Sequence, residues 1–195
     1  MTIEAAPPPA TSKTPLWSLP NQLTVARLGA SVVLFVCLTY GWFATAFVLF
    51  VVGASTDWLD GYFARKYGLV TQLGRILDPF ADKLIICGTF IFLGALYPAS
   101  RIPAWIAVVV MARELLVTAL RSFLEQRGRD FSAEMAGKLK MVFQCIAAGA
   151  SLFYLAFGQP GWLALPLDVC LWTAVALTVY SGATYVRRAI RLASE

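Results

Sequence analysis

Long apolar runs separated by short polar breaks dominate the chain. Six of them, over 22–40, 42–64, 76–97, 103–125, 135–157 and 166–190, come close to the ~20 residues that an α-helix needs to cross a bilayer. The breaks carry turn residues. Gly41-Trp42 makes the first very tight, and Tyr97-Pro98-Ala99-Ser100-Arg101-Ile102-Pro103 and Gly158-Gln159-Pro160-Gly161 supply two more. The last helix is expected to start near Pro166, where a first turn tolerates proline. The pattern predicts an all-α polytopic membrane protein with six transmembrane helices spread over 20–195. Residues 1–19 differ in kind: Ala5-Ala6-Pro7-Pro8-Pro9-Ala10 lacks the apolar stretch of a signal peptide and reads as a flexible cytoplasmic tail.

Composition removes the main alternative. Of 195 residues, 59% are hydrophobic and only 14% charged, against roughly 25% charged in a soluble domain. Too little polar surface exists to cover a water-soluble globule. There is no histidine, which excludes histidine metal sites and histidine acid–base chemistry. Cys37, Cys87, Cys145 and Cys170 lie far apart in apolar segments, without metal-ligand spacing, and read as small buried hydrophobes.

Charge placement sets the orientation. Lys13, Arg27, Lys66, Arg75, Arg127, Arg129, Lys138, Lys140, Arg187, Arg188 and Arg191 fall on one side's tail, loops or helix ends, and the other side's connections offer only Arg101. The positive-inside rule then makes both termini cytoplasmic. The net charge of +5 suits a face that meets anionic lipid, and nucleic acid is an unneeded partner.

Four aspartates interrupt this apolar background. Asp57 and Asp60 are i and i+3 on one helix face, and Asp78 and Asp82 are i and i+4 on the next helix. Two antiparallel helices joined by a short cytoplasmic loop can aim all four into one cavity. Carboxylates at such depth are costly and repel one another unless a multivalent cation neutralises them. Hard oxygen ligands select Mg²⁺, Mn²⁺ or Ca²⁺ over zinc, and four of them suit one or two Mg²⁺ ions shared with phosphate. Gly61 and Ala64 strip the same helix of side chains so that a ligand can lie close, and Arg65 can fork onto a phosphate.

The frame Asp57-x2-Asp60-Gly61-x2-Ala64-Arg65-x8-Gly74-x3-Asp78-x3-Asp82 matches, without a departure, the signature of the CDP-alcohol phosphotransferases. Pro20-Asn21-x-Leu23-Thr24-x2-Arg27, Leu77-Asp78-Pro79-x-Ala81-Asp82-Lys83, Ala112-Arg113-Glu114, Leu120-Arg121 and Gly137-Lys138-x-Lys140 resemble the bacterial phosphatidylglycerophosphate synthase branch of that family. The resemblance implies transfer of a phosphatidyl group from CDP-diacylglycerol to sn-glycerol 3-phosphate, with release of CMP, at the cytoplasmic side of a bacterial inner membrane. It implies one or two Mg²⁺ or Mn²⁺ ions held by the aspartates, with Asp82 as general base, and a homodimer. Gly61, Ala64, Arg65 and Gly74 would line the CDP-lipid pocket, with Asn21 and Thr24 nearby.

An acceptor that carries its own phosphate needs a second cationic site. Arg113, Arg121 and Lys138 are the expected ligands, with Lys140 as a fourth possibility. Arg113 lies deep in its segment and is expensive there unless used or paired, and an ion pair with Glu114 is its structural alternative. Gln144, polar within the fifth segment, is expected to bond between helices. Two other functions compete. The same chemistry with inositol phosphate or phosphatidylglycerol as acceptor would use a similar motif, whereas serine has no phosphate to capture. A divalent-cation transporter would need a path open to both faces, which carboxylates at cytoplasmic helix ends do not provide.

Overall fold

The computed structural model describes residues 19–67, 72–126 and 135–194. These residues form six α-helices: α1 Leu19–Thr39, α2 Phe43–Tyr67, α3 Gln72–Leu96, α4 Ala104–Gln126, α5 Met135–Ala156 and α6 Gly161–Ser194. The all-helical expectation holds, and each apolar run falls on one helix, overrunning it by at most one residue. The expected tail through residue 19 lies almost wholly outside the described residues.

One boundary needs correction. The last helix begins at Gly161, so Pro166 lies inside it. Proline removes one N–H and frees the carbonyl four residues back. Here that carbonyl belongs to Trp162, in the opening turn, where little of the ladder is disturbed.

The helices close a ring. Each packs on two neighbours in the order α1, α2, α5, α6, α4, α3, and α3 also touches α5 across the middle. Leu34, Phe90, Leu93, Ile106, Leu152 and Leu171 are almost wholly buried between them. Small residues permit close approach: a Cβ on Gly94 would lie 3.0 Å from the Ala104 Cα.

The outer surface is apolar too. Val32, Val48, Val108, Leu115, Leu165, Val179 and Ile190 are all exposed. Among the described residues, Pro79–Leu96, Gly137–Ala156 and Gly161–Leu192 are long and apolar enough to cross a membrane. Helix α4 misses that mark because Arg113, Glu114 and Arg121 interrupt it. An apolar ring around helices with satisfied backbones is the arrangement a bilayer requires.

The connections away from the charged helix ends are latched. Gly41, at φ 72°, turns the chain so that the Trp42 N–H donates to the Cys37 carbonyl at 2.8 Å. Tyr97 packs edge-on against Phe43 with centroids 4.8 Å apart, and its hydroxyl donates to the Leu38 carbonyl. The Ser100 hydroxyl donates to the Leu93 carbonyl at 3.0 Å, and Ser151 donates to the Ser100 carbonyl at 2.7 Å. Arg101 forks onto both carboxylate oxygens of Asp168, with Nε to Oδ1 at 2.7 Å. That hydrogen-bonded carboxylate holds the guanidinium well above its ordinary range. The four cysteines are free, with Cys37 and Cys87 buried and Cys145 and Cys170 half-buried.

Candidate active site

The buried charged side chains, Arg27, Arg113 and Lys140, gather toward one end, where α1, α3 and α5 begin and α2, α4 and α6 finish. Asp57 and Asp60 lie 10 and 7 residues before the end of α2 at Tyr67, and Asp78 and Asp82 lie 6 and 10 residues after the start of α3 at Gln72. At ~1.5 Å per residue, both pairs sit about 9–15 Å from their helix ends. The two backbones therefore carry the four acidic positions at matching depth. The side chains of Asp57, Asp60, Gly61, Ala64, Arg65, Gly74, Asp78 and Asn21 lie outside the described residues. Asp82 and Thr24 are described, and Thr24 is buried. Among the described residues no three His, Cys, Asp or Glu side chains come together as a metal cluster.

Asp82 anchors the site to α1. Its Oδ1 accepts from Arg27 Nη1 at 3.3 Å, and the Arg27 side chain is only 4% exposed against 25% for Asp82. The residue after it, Lys83, donates to the Thr118 hydroxyl of α4. Asp82 and Lys83 form one wall of a cavity of about 160 Å³ between α3, α4 and α5. Its polar lining holds three cations, Lys83, Arg121 and Lys140, and two carboxylates, Asp82 and Glu114, with Gln144 beside them. Arg121 Nε is buried without a hydrogen-bond partner. A buried donor left without a partner costs about 1–3 kcal/mol, and the Nε atoms of Arg27 and Arg113 are in the same state.

Behind the cavity runs a polar chain joining α4, α5 and α6. Arg113 Nη1 donates to Glu114 Oε1 at 3.2 Å and Nη2 donates to the Ser181 hydroxyl at 2.9 Å. Its guanidinium stands 5.4 Å from the Tyr185 ring centroid, a favourable cation–π distance. Lys140 donates to the same Glu114 Oε1 and reaches Gln144 Oε1 at 3.5 Å. Gln144 Nε2 donates to the Thr178 hydroxyl at 2.9 Å, the interhelical bond expected of it. Even Gly137 belongs to this packing, since a Cβ there would lie 3.5 Å from the Tyr185 hydroxyl.

The three expected phosphate ligands are thus not equivalent. Arg121 lines the cavity. Arg113 sits one layer back with its Nη groups engaged by Glu114 and Ser181, the structural alternative weighed for it. Lys138 is exposed at the opening turn of α5, whereas Lys140 is buried and lines the cavity. Lys83, Glu114 and Arg27 were not among the expected site residues. For Lys83 and Arg27 the available signal was their place in the stretches ending at Asp82-Lys83 and Arg27.

Comparison with known proteins fits this geometry. The CDP-alcohol phosphatidyltransferase family matches residues 17–180 of the chain. The CDP-diacylglycerol–glycerol-3-phosphate 3-phosphatidyltransferase of Bacillus subtilis is 36% identical over 187 residues, covering 87% of this chain and 94% of that protein. A protein of Mycobacterium tuberculosis named as a probable phosphatidylglycerophosphate synthase is 37% identical over 180 residues, covering 89% and 82%. The CDP-diacylglycerol–glycerol-3-phosphate 3-phosphatidyltransferase of Rickettsia bellii is 35% identical over 177 residues, covering 87% and 94%.

Proposed function

The chain belongs to the CDP-alcohol phosphatidyltransferase family, and from that premise we propose that it transfers the phosphatidyl group of CDP-diacylglycerol to sn-glycerol 3-phosphate. The products are phosphatidylglycerophosphate and CMP, a step of phospholipid biosynthesis. The observation that carries the acceptor assignment is the cation-rich cavity beside Asp82, with the unpartnered Arg121 Nε in its wall. A cavity of about 160 Å³ favours a small phosphorylated polyol over a bulky lipid headgroup.

The reaction places each group in a role. The acceptor phosphate lies against Arg121, Lys83 and Lys140, which fixes its primary hydroxyl near Asp82. Asp82 takes the proton of that hydroxyl as its oxygen bonds to the lipid-linked phosphorus. The bond from that phosphorus to the CMP oxygen breaks in line. Arg27 donates to the Asp82 carboxylate and fixes its position on α3. Arg113 acts through Glu114 rather than on the phosphate, and Lys138 attracts the anionic acceptor at the entrance. Gly61, Ala64, Arg65 and Gly74 form the CDP side, with Asn21 and Thr24 beside it.

The matching depth of the acidic positions on α2 and α3, with oxygen donors only, fits Mg²⁺ or Mn²⁺ held by Asp57, Asp60, Asp78 and Asp82. When bound, one or two such ions would neutralise the diphosphate and stabilise departing CMP. The basic residues of the site end, against Arg101 alone at the other, support six transmembrane helices in a bacterial inner membrane with both termini and the active site cytoplasmic. Residues 20–195 form the one catalytic domain behind an N-terminal tail, and the family resemblance supports a homodimer.

Asp82→Asn tests the central role. It should retain CDP-diacylglycerol binding by equilibrium titration and lose transfer by about 10²–10⁴-fold. A variant that keeps most of its turnover would refute Asp82 as the base.

A further inference from the structure

The cavity contains a carboxylate that phosphate capture does not explain. Glu114 stands in its wall among Lys83, Arg121 and Lys140. A negative charge there weakens the pull on an anion unless it does something else. Both of its cationic partners, Arg113 Nη1 and Lys140 Nζ, bond to the same oxygen, Oε1. Among the described residues no hydrogen bond reaches Oε2, and the side chain keeps 14% exposure. Arg113 is itself clamped by Ser181 and Tyr185, and Lys140 by Gln144. Glu114 is therefore held at one oxygen, lines the cavity, and has its other oxygen without a hydrogen bond among the described residues. An ionised carboxylate only accepts hydrogen bonds, so the open oxygen suits a donor such as a hydroxyl.

We propose that Glu114 is an acceptor-specificity residue, its Oε2 accepting a hydrogen bond from the hydroxyl of the acceptor that does not react. The inference rests on the reaction proposed above and deepens it. A polyol phosphate brings three recognisable groups: a phosphate for the cations, a reacting hydroxyl for Asp82, and a second hydroxyl. Glu114 reads the third. A hydrogen bond to a charged group is worth about 10- to 150-fold in affinity, and a site built to bond a substrate hydroxyl rejects the analogue that lacks it.

The test compares two acceptors, sn-glycerol 3-phosphate and 3-hydroxypropyl phosphate, which lacks only the middle hydroxyl. CMP release is measured with the purified full chain, CDP-diacylglycerol and Mg²⁺. Wild-type protein should favour glycerol phosphate by about 10- to 100-fold in kcat/KM. In Glu114→Gln and Glu114→Ala that preference should shrink to less than about 3-fold, mostly through a fall in the glycerol phosphate value. A purely structural Glu114 would lower both acceptors alike and keep the ratio, and that result overturns the proposal. If the variants do not fold, the wild-type ratio still decides, because equal use of the two acceptors overturns the inference and leaves the reaction standing. No CMP release with glycerol phosphate would overturn the reaction, and the inference with it.

Discussion

Replacing Arg121 with methionine should separate binding from stability in an unusual direction. Arg121 Nε is buried and has no hydrogen-bond partner, so the folded protein carries the desolvation of that donor with nothing in return. An unsatisfied buried donor costs about 1–3 kcal/mol. Methionine fills similar space with a flexible apolar chain, so Arg121→Met removes the penalty and leaves no large cavity. Each kcal/mol is worth roughly 2–4 °C in melting temperature for a protein of this size. The variant should therefore melt at the same temperature as wild type or a few degrees higher. Its apparent KM for glycerol 3-phosphate should rise about 10- to 150-fold, the value of one charge-assisted hydrogen bond at 1.5–3 kcal/mol. The KM for CDP-diacylglycerol should move little. Steady-state CMP release with each substrate varied in turn, alongside a thermal melt in detergent, gives all three numbers. A variant that melts much lower and leaves the glycerol phosphate KM unchanged would refute the reasoning, because Arg121 would then be holding helices together.

Two further predictions follow from neighbouring geometry. Arg27→Gln breaks the 3.3 Å contact to Asp82 and should lower kcat at least about 10-fold with both KM values little changed. Arg27→Lys should recover part of the loss, and a kcat equal to wild type in Arg27→Gln would contradict the positioning role. Gly88 tests the packing: a Cβ there would stand 2.2 Å from Phe35 Cζ, and Phe35 is stacked on Phe92 at 5.1 Å. Gly88→Ala should destabilise by about 1–3 kcal/mol, whereas Gly29→Ala, with nothing within 4 Å, should be neutral or stabilising. Equal melting temperatures for the two would count against this packing.

Much of the architecture was legible because lipid-facing helices need long apolar runs and tight turns interrupt them. The runs stopped short where chemistry begins: the expected 42–64 and 76–97 became Phe43–Tyr67 and Gln72–Leu96. Charged residues near the motif lower the apolar signal while the backbone hydrogen bonds continue. Proline misled at Pro166 for a related reason, since a break-prone residue near a helix start removes little of the ladder.

The proposed acceptor pocket was harder to read. A helix that is apolar all round gives no amphipathic pattern to say which face turns inward. Lys138 and Lys140 lie about 200° apart around α5, and hydrophobicity alone does not choose between them. A subtler stripe does: Lys140, Gln144, Ala147, Ala148 and Ser151 follow helical spacing, and all are buried. Arg113 was recognisable as costly, but its partners Ser181 and Tyr185 lie some 70 residues on and only the fold brings them together.

The most direct test of the account is CMP release by the purified full chain from labelled CDP-diacylglycerol and Mg²⁺, with sn-glycerol 3-phosphate, inositol phosphate or phosphatidylglycerol supplied one at a time. The proposed reaction, supported by relatives named for glycerol 3-phosphate and by the small cation-lined cavity beside Asp82, predicts release with glycerol 3-phosphate and near-background release with the other two. Release driven by inositol phosphate or phosphatidylglycerol, with none from glycerol 3-phosphate, would contradict it.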